Sequence, residues 1–231
     1  MTNRDDWQVF RAINARRRAV RDFDGRAIDL TALEEIVAEA VNAPSSGNLQ
    51  PYRLHVVHEP KLKAAVAEAC NGQRAAKTSS ALIVVAASQN IATASLAQLE
   101  RAQGTIEYYA KGHKTLRTFF RFAPAHVFGV LTSLVALFLP VLSLLPFGRG
   151  GVRQWLARNS VYAAQTLMLA ASARGFDTCP MEGFDARKVS RLLRLPRGTV
   201  IPLVIAIGHR AHDARIEPRV RRSLTDVLVT H

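Results

Sequence analysis

Only two cysteines, Cys70 and Cys179, occur in the 231 residues. That excludes a disulfide framework and any cysteine-based metal site, and it suits a reducing compartment. Seven histidines are scattered without metal-ligand spacing, so no metal centre is expected. Aromatic residues make up 7% of the chain and do not interleave with the basic ones, so there is no nucleic-acid motif. Acidic residues are also scarce, 18 against 31 Lys and Arg, for a net charge of +13. Such an excess calls for anionic partners, either small phosphate-bearing ligands or an anionic surface. The polar opening Met1–Asp6 has no apolar signal core, which makes the cytoplasm the expected compartment. At 48% hydrophobic and 21% charged, the chain is neither disordered nor a typical polytopic membrane protein. No repeat or low-complexity linker divides it, so residues 1–231 read as one domain with a sizeable core.

The hydrophobic spacing outlines the elements. Trp7, Phe10 and Ile13 share one face of an N-terminal helix. Thr31–Glu34 reads as a capping box, followed by Leu33, Ile36, Val37 and Ala40 at helical spacing until Pro44. Pro60–Ala69 reads as another helix. Ser160–Arg174 reads as a longer one, ending at Gly175 as C-cap. Asp185 caps a segment that stops before Pro196. Leu54–Val57 is a short strand candidate, and the apolar runs Ala81–Ala87 and Val200–Ile207 suit buried strands. Helices alternating with few strands predict an α+β sandwich, a central sheet flanked by helices.

Three stretches carry chemistry. Ala43-Pro44-Ser45-Ser46-Gly47-Asn48-Leu49-Gln50-Pro51-Tyr52 is uncharged, fixed by proline at both ends and rich in hydroxyls and carboxamides. It suits a grip on a planar heterocycle; the bland alternative is a polar turn. Arg16-Arg17-Arg18-Ala19-Val20-Arg21-Asp22-Phe23 crowds four guanidiniums whose planar forks suit phosphate. Its bland alternative is a solvated helix end. In Asp177-Thr178-Cys179-Pro180-Met181-Glu182-Gly183-Phe184-Asp185, Gly183 permits close backbone approach to a flat ligand. Its bland alternative is a plain helix-to-helix connection.

Together, in this order, the three stretches resemble the nitroreductase family of FMN-dependent oxidoreductases. Arg17–Phe23 matches the family's Arg-Arg-Ser-x-Arg-x-Phe, with Ala19 replacing the usual Ser. Ala43–Pro51 matches Ala-Pro-Ser-Ser-x-Asn-x-Gln-Pro without a gap, and Pro180–Phe184 matches Pro-x-Glu-Gly-Phe. Arg219-Val220-Arg221, after Gly208, looks like the family's basic pair near the C-terminus. The resemblance implies a nitroreductase-like sandwich with a mostly antiparallel sheet, one noncovalent FMN per subunit, NADH or NADPH as reductant, a homodimer and ping-pong kinetics. It implies that Arg17, with Arg219 and Arg221, meets the FMN phosphate, Arg18 and Ala19 lying in the same motif. Arg21 would reach the pyrimidine edge, and the backbone N–H groups of Glu182 and Gly183, following Pro180 and Met181, would face flavin N5. Pro44, Ser45, Ser46 and Asn48, with Gln50, would line the ring, in this family often from the other subunit. Gln73 sits where relatives carry a carboxamide that contacts the ring. No catalytic side chain is needed.

One segment stands outside the resemblance. From Phe122 to Gly148 there is no Lys, Arg, Asp or Glu, and basic residues bracket the run. It is long enough to span a bilayer, but a single crossing would separate the two halves of the site. Pro140 and Pro146 favour a broken helix. The insertion, at about 104–151, is therefore expected to form a lid or dimer-packing element, with peripheral membrane docking as the alternative. The leading activity is reduction of an electron-poor small molecule such as a nitroaromatic or quinone. Another flavin reaction on the same fold (dehydrogenation, dehalogenation or flavin destruction) and a membrane-surface or flavin-binding protein without turnover stay open.

Overall fold

The computed structural model describes residues 3–102, 113–114, 117 and 151–231. The expectations for Phe122–Gly148 lie outside these residues. The described elements are α1 (Asn3–Arg16), α2 (Leu30–Val41), a 3-10 turn (Ser46–Asn48), β1 (Tyr52–Val57), α3 (Pro60–Ala69), α4 (Arg74–Thr78), β2 (Ala81–Ala87), α5 (Gln89–Ala102), α6 (Gly151–Ala173), β3 (Asp177–Met181), α7 (Ala186–Leu192), β4 (Val200–Gly208) and a second 3-10 turn (Leu224–Asp226).

The four strands form one sheet in the order β1-β2-β4-β3, every neighbour antiparallel. The two unbroken apolar runs are its central strands, because only a strand covered on both faces tolerates apolar side chains pointing both ways. Alternation sorts them. Leu82, Val84, Val204 and Ala206 join a core layer with α3, α4 and α7, through Val66, Ala76 and Val189. Ala81, Ile83, Val85, Leu203, Ile205 and Ile207 join the opposite layer with α2 and α6, through Leu33, Ile36 and Leu167. Each fully buried Leu, Ile or Val of this kind contributes about 1.5–3 kcal/mol. This is the expected α+β sandwich.

Two local expectations are corrected. The cap of α2 is Asp29, whose carboxylate accepts from the Thr31 N–H at 3.3 Å, so the helix starts before the Thr31–Glu34 box. And Asp177–Met181, which offered the plain-connection alternative, is the edge strand β3, so Pro180 and Met181 belong to a strand rather than a loop. Thr178 is its single β-branched residue, so its own pattern is faint. The strand exists because β4 offers a free edge, and proline is tolerated at a sheet edge. Gly175, in contrast, closes α6 as expected. It adopts φ 83°, Phe176 N–H donates to Ala171 O at 2.9 Å, and Gly175 N–H donates to Ser172 O at 3.1 Å, a Schellman closure.

Gly208, at the end of β4, has no room for a side chain. A Cβ there would lie 2.8 Å from the Phe23 ring and 3.2 Å from the Ser80 backbone nitrogen. Gly208→Ala is expected to destabilise the fold by about 1–3 kcal/mol, the usual scale of overpacking. A urea midpoint equal to that of the parent protein would contradict this packing.

Candidate functional site

The segment after α1 is stapled to the sheet edge. Val20 N–H donates to Thr178 O at 3.0 Å and Asp24 N–H to His209 O at 3.0 Å. Phe23 N–H donates to the Thr78 hydroxyl at 3.0 Å. Ala19 pairs with Thr178 as a parallel bridge. These bonds fix Arg17, Arg18 and Arg21 near the start of β3. The C-terminal tail returns to the same place. The Arg219 guanidinium donates to Arg17 O at 2.7 Å and Ala15 O at 2.9 Å, and Arg18 donates to Glu217 O.

Four guanidiniums thus converge. Partial burial lowers the Arg17 pKa, and repulsion from Arg219, Arg221 and Arg18 lowers it further. Among the described residues no carboxylate forms an ion pair with any of the four. Neighbouring arginines are neutralised instead: Arg74 pairs with Asp22 at 2.5 Å, and Arg210 holds Asp177 through two bonds of 2.7 and 2.8 Å. A phosphate fits the remaining positive field.

At the far end of β3 the peptide of Gly183 is held by two carboxamides. Asn71 Nδ2 and Gln73 Nε2 donate to its carbonyl at 3.0 and 2.8 Å. Neither the Glu182 nor the Gly183 N–H donates to a backbone carbonyl among the described residues. From Thr178 to Glu182 the strand covers about 13 Å, a span on the scale of a phosphate, a five-carbon chain and a ring. Gln73 therefore acts on the Gly183 carbonyl. Asn71, with φ 58°, does the same and was not recognised in the sequence; a left-handed Asn beside Gly72 was the available signal.

The Pro44–Pro51 loop is rigid for a local reason. Gly47, Asn48 and Gln50 all have positive φ (62°, 55° and 41°). Ser45 Oγ accepts from Gln50 N–H at 2.9 Å, and Gln50 Nε2 donates to Asn48 Oδ1 at 2.9 Å. Several polar groups expected to meet a ligand therefore hold the loop's own shape. Two anchors absent from the sequence reading fix it to the protein. Asn159 Oδ1 accepts from Ser46 N–H at 2.7 Å, and buried His113 donates from Nε2 to Gly47 O at 3.1 Å. Asn159 lies one residue before the stretch that the spacing assigned to helix. Pro44, Ser45 and Ser46 line a cleft of about 540 Å3 with Trp155, Arg158, Asn159 and Tyr162 of α6.

Within the chain this loop and the arginines are anchored apart. The loop binds α6 at Asn159, whereas the arginine segment binds it at Ser172, whose carbonyl accepts from the Arg16 guanidinium and whose Oγ donates to Ile13 O of α1 at 3.2 Å. The two anchor points lie about 20 Å apart along the helix.

Cys179 lies on β3 and Cys70 ends α3; both are buried and free. Burial pushes the Cys70 thiol up to about 11 and raises that of Cys179, where nearby Arg21 opposes the shift. A folded-state pKa above the unfolded value of 9.0 stabilises the fold below pH 9, and that contribution is lost as pH rises through 11. The folding stability read from urea unfolding is expected to fall across this window, by about 2–3 kcal/mol at most for Cys70. Cys70→Ala should flatten the fall; an unchanged slope would show that other groups cause it.

The sequence profile of the nitroreductase family matches residues 15–209. The protein DrgA of Synechocystis is 34% identical over 210 residues, covering 90% of this chain and 85% of its own. A Thermus thermophilus protein named NADH dehydrogenase is 28% identical over 198 residues, covering 86% and 85%. A protein from Exiguobacterium sibiricum, solved in complex with FMN and described as a nitroreductase, superposes with a TM-score of 0.69 at 26% identity, covering 96% of this chain and 97% of that one. Among the described residues no helix is long and apolar enough to cross a membrane, and no cluster of ligating side chains could hold a metal ion.

Proposed function

The chain belongs to the nitroreductase family of FMN-dependent NAD(P)H oxidoreductases, and from that premise we propose that it carries electrons from NADH or NADPH to an electron-poor small molecule, a nitroaromatic, a quinone or a similar acceptor, by ping-pong kinetics. Bound FMN supplies the hydride chemistry, at its N5 atom. The protein's part is position and electrostatics. Arg17, Arg18, Arg219 and Arg221 would hold the phosphate by charge-assisted bonds. Arg21 would set a positive charge at the pyrimidine edge, where it favours the reduced, anionic ring. Glu182 and Gly183 would present their N–H groups to the ring edge, with Asn71 and Gln73 holding the Gly183 carbonyl that follows. The observation that carries this reading is that, among the described residues, guanidiniums with no carboxylate partner and backbone N–H groups with no backbone acceptor occupy the two ends of one strand.

The second part of the proposal is a homodimer in which the Pro44–Pro51 loop of each subunit completes the partner's site. It is supported by the separation of the loop from the arginines within a subunit. Exposed apolar side chains support it too. Trp7 and Phe10 stack at 5.9 Å between centroids yet are 56% and 46% exposed, and Val161 and Tyr162 lie open on α6. Exposed clusters of this kind mark interaction surfaces. The proposed compartment is the cytoplasm, where two free thiols stay reduced.

The test is an anaerobic titration of the purified protein. FMN released on denaturation, bleaching by NADH or NADPH, and reoxidation by a quinone in a second half-reaction are expected. A protein that retains FMN but is bleached by neither nucleotide would overturn the enzymatic reading. A sedimenting monomer that still holds FMN would overturn the shared site.

A further inference from the structure

A second basic concavity lies away from the Arg17 cluster. It is a groove of about 730 Å3 between the start of α6 and the segment from α7 to β4, lined by Arg153, Arg187, Arg191, Arg194 and Arg197. Among the described residues none of the five forms an ion pair. Among the described residues Asp185, the N-cap of α7, feels the charge of Arg191, and its carboxylate also accepts from the Arg187 and Lys188 N–H groups. Like charges that line one groove repel one another unless an anion or solvent lies between them.

The backbone favours the same arrangement at a cost. Leu195 N–H donates to Ser190 O at 2.8 Å and Arg194 N–H to Arg191 O at 3.2 Å, a Schellman closure of α7. The left-handed residue of that closure is Arg194, with φ 52°, where glycine is usual. The following turn is also fixed. Thr199 N–H and Oγ1 both donate to Pro196 O, at 3.2 and 2.7 Å, and Gly198 has φ 82°. The five arginines therefore stand on a preset frame rather than on a mobile loop. Leu195 adds an apolar surface within the basic groove.

We propose that this groove binds a soluble ligand bearing two or more linked phosphates, of the size and class of a nucleoside di- or triphosphate. Guanidinium forks match phosphate oxygens, and several of them lining one groove favour a polyanion with several phosphates over a single phosphate. The site does not depend on the FMN reading, because it shares no residue with the Arg17 cluster or the Pro44–Pro51 loop.

The experiment uses the FMN-saturated protein at physiological salt. Calorimetry with pyrophosphate, ATP and orthophosphate is run beside flotation with phosphatidylglycerol vesicles, on the parent and on a triple variant, Arg191→Gln, Arg194→Gln, Arg197→Gln. Saturable binding of pyrophosphate or ATP, one per subunit, with orthophosphate at least tenfold weaker, is expected. The triple variant should lose at least tenfold in affinity while keeping its FMN content, circular dichroism and NADH oxidation. Three results would each overturn the proposal: no saturable binding of either polyphosphate, equal binding by parent and variant, or binding of the vesicles alone.

Discussion

Arg17→Ala is expected to weaken FMN binding by about 1.5–3 kcal/mol, the scale of hydrogen bonds to a charged group, which is roughly ten- to a hundredfold or more in Kd. Riboflavin, which lacks the phosphate, should bind the variant and the parent nearly alike. The contrast arises because Arg17 stands among Arg18, Arg219 and Arg221 with no carboxylate partner among the described residues. Removing it lowers the field felt by a phosphate and leaves no orphaned acid behind. Equal losses for the two flavins would show that Arg17 acts through the fold, for example by supporting the Arg219 contact to its carbonyl. Fluorescence titration of the apoprotein with each flavin separates the two outcomes.

Trp155→Ala is expected to cost about 3–5 kcal/mol of folding stability, as for other large aromatic deletions. Trp155 is 2% exposed and packs in one cluster with Leu49 of the Pro44–Pro51 loop and with Ala43 and Tyr52, which flank it. Its backbone carbonyl also accepts from Asn159 Nδ2 at 2.8 Å, which orients the Asn159 carboxamide toward Ser46. That backbone contact survives the substitution, but the ring also lines the cleft beside Pro44, Ser45 and Ser46, so the loss should be double: a lower urea midpoint and, in the fraction that stays folded, a higher KM for the acceptor with FMN still bound. A variant that unfolds earlier but keeps the parent KM would remove Trp155 from the support of the cleft.

How much of this was legible in the sequence depends on where the signal lies. Ala81–Ala87 and Val200–Ile207 announce central strands because burial on both faces demands apolar residues at consecutive positions. Pro60–Ala69 has a proline start and helical spacing, and its boundaries hold. β3 was not legible, since an edge strand takes its conformation from its neighbour and Asp177-Thr178-Cys179-Pro180-Met181 has little preference of its own. The arginine segment and the Pro44–Pro51 loop were visible as composition. Their supports were not: Asn71, His113 and Asn159 lie outside the motifs, and each is a common polar residue whose role comes from a tertiary contact. The groove around Arg194 was hidden for a similar reason, because Arg153 joins it from a helix far earlier in the chain.

The distance of about 20 Å between the two anchor points on α6 has a genetic consequence. If each site takes its arginines from one subunit and its loop from the other, defects in the two parts should complement. Arg17→Ala subunits and Asn48→Ala subunits, each impaired as pure dimers at limiting FMN, would form hybrids with one doubly damaged site and one wholly intact site. Co-expression should restore up to about half of the parent's activity per hybrid, whereas two substitutions within the arginine cluster should restore none. Such hybrids also link assembly to cofactor retention, since any ligand that bridges two subunits tightens their association by the same factor as association tightens the ligand.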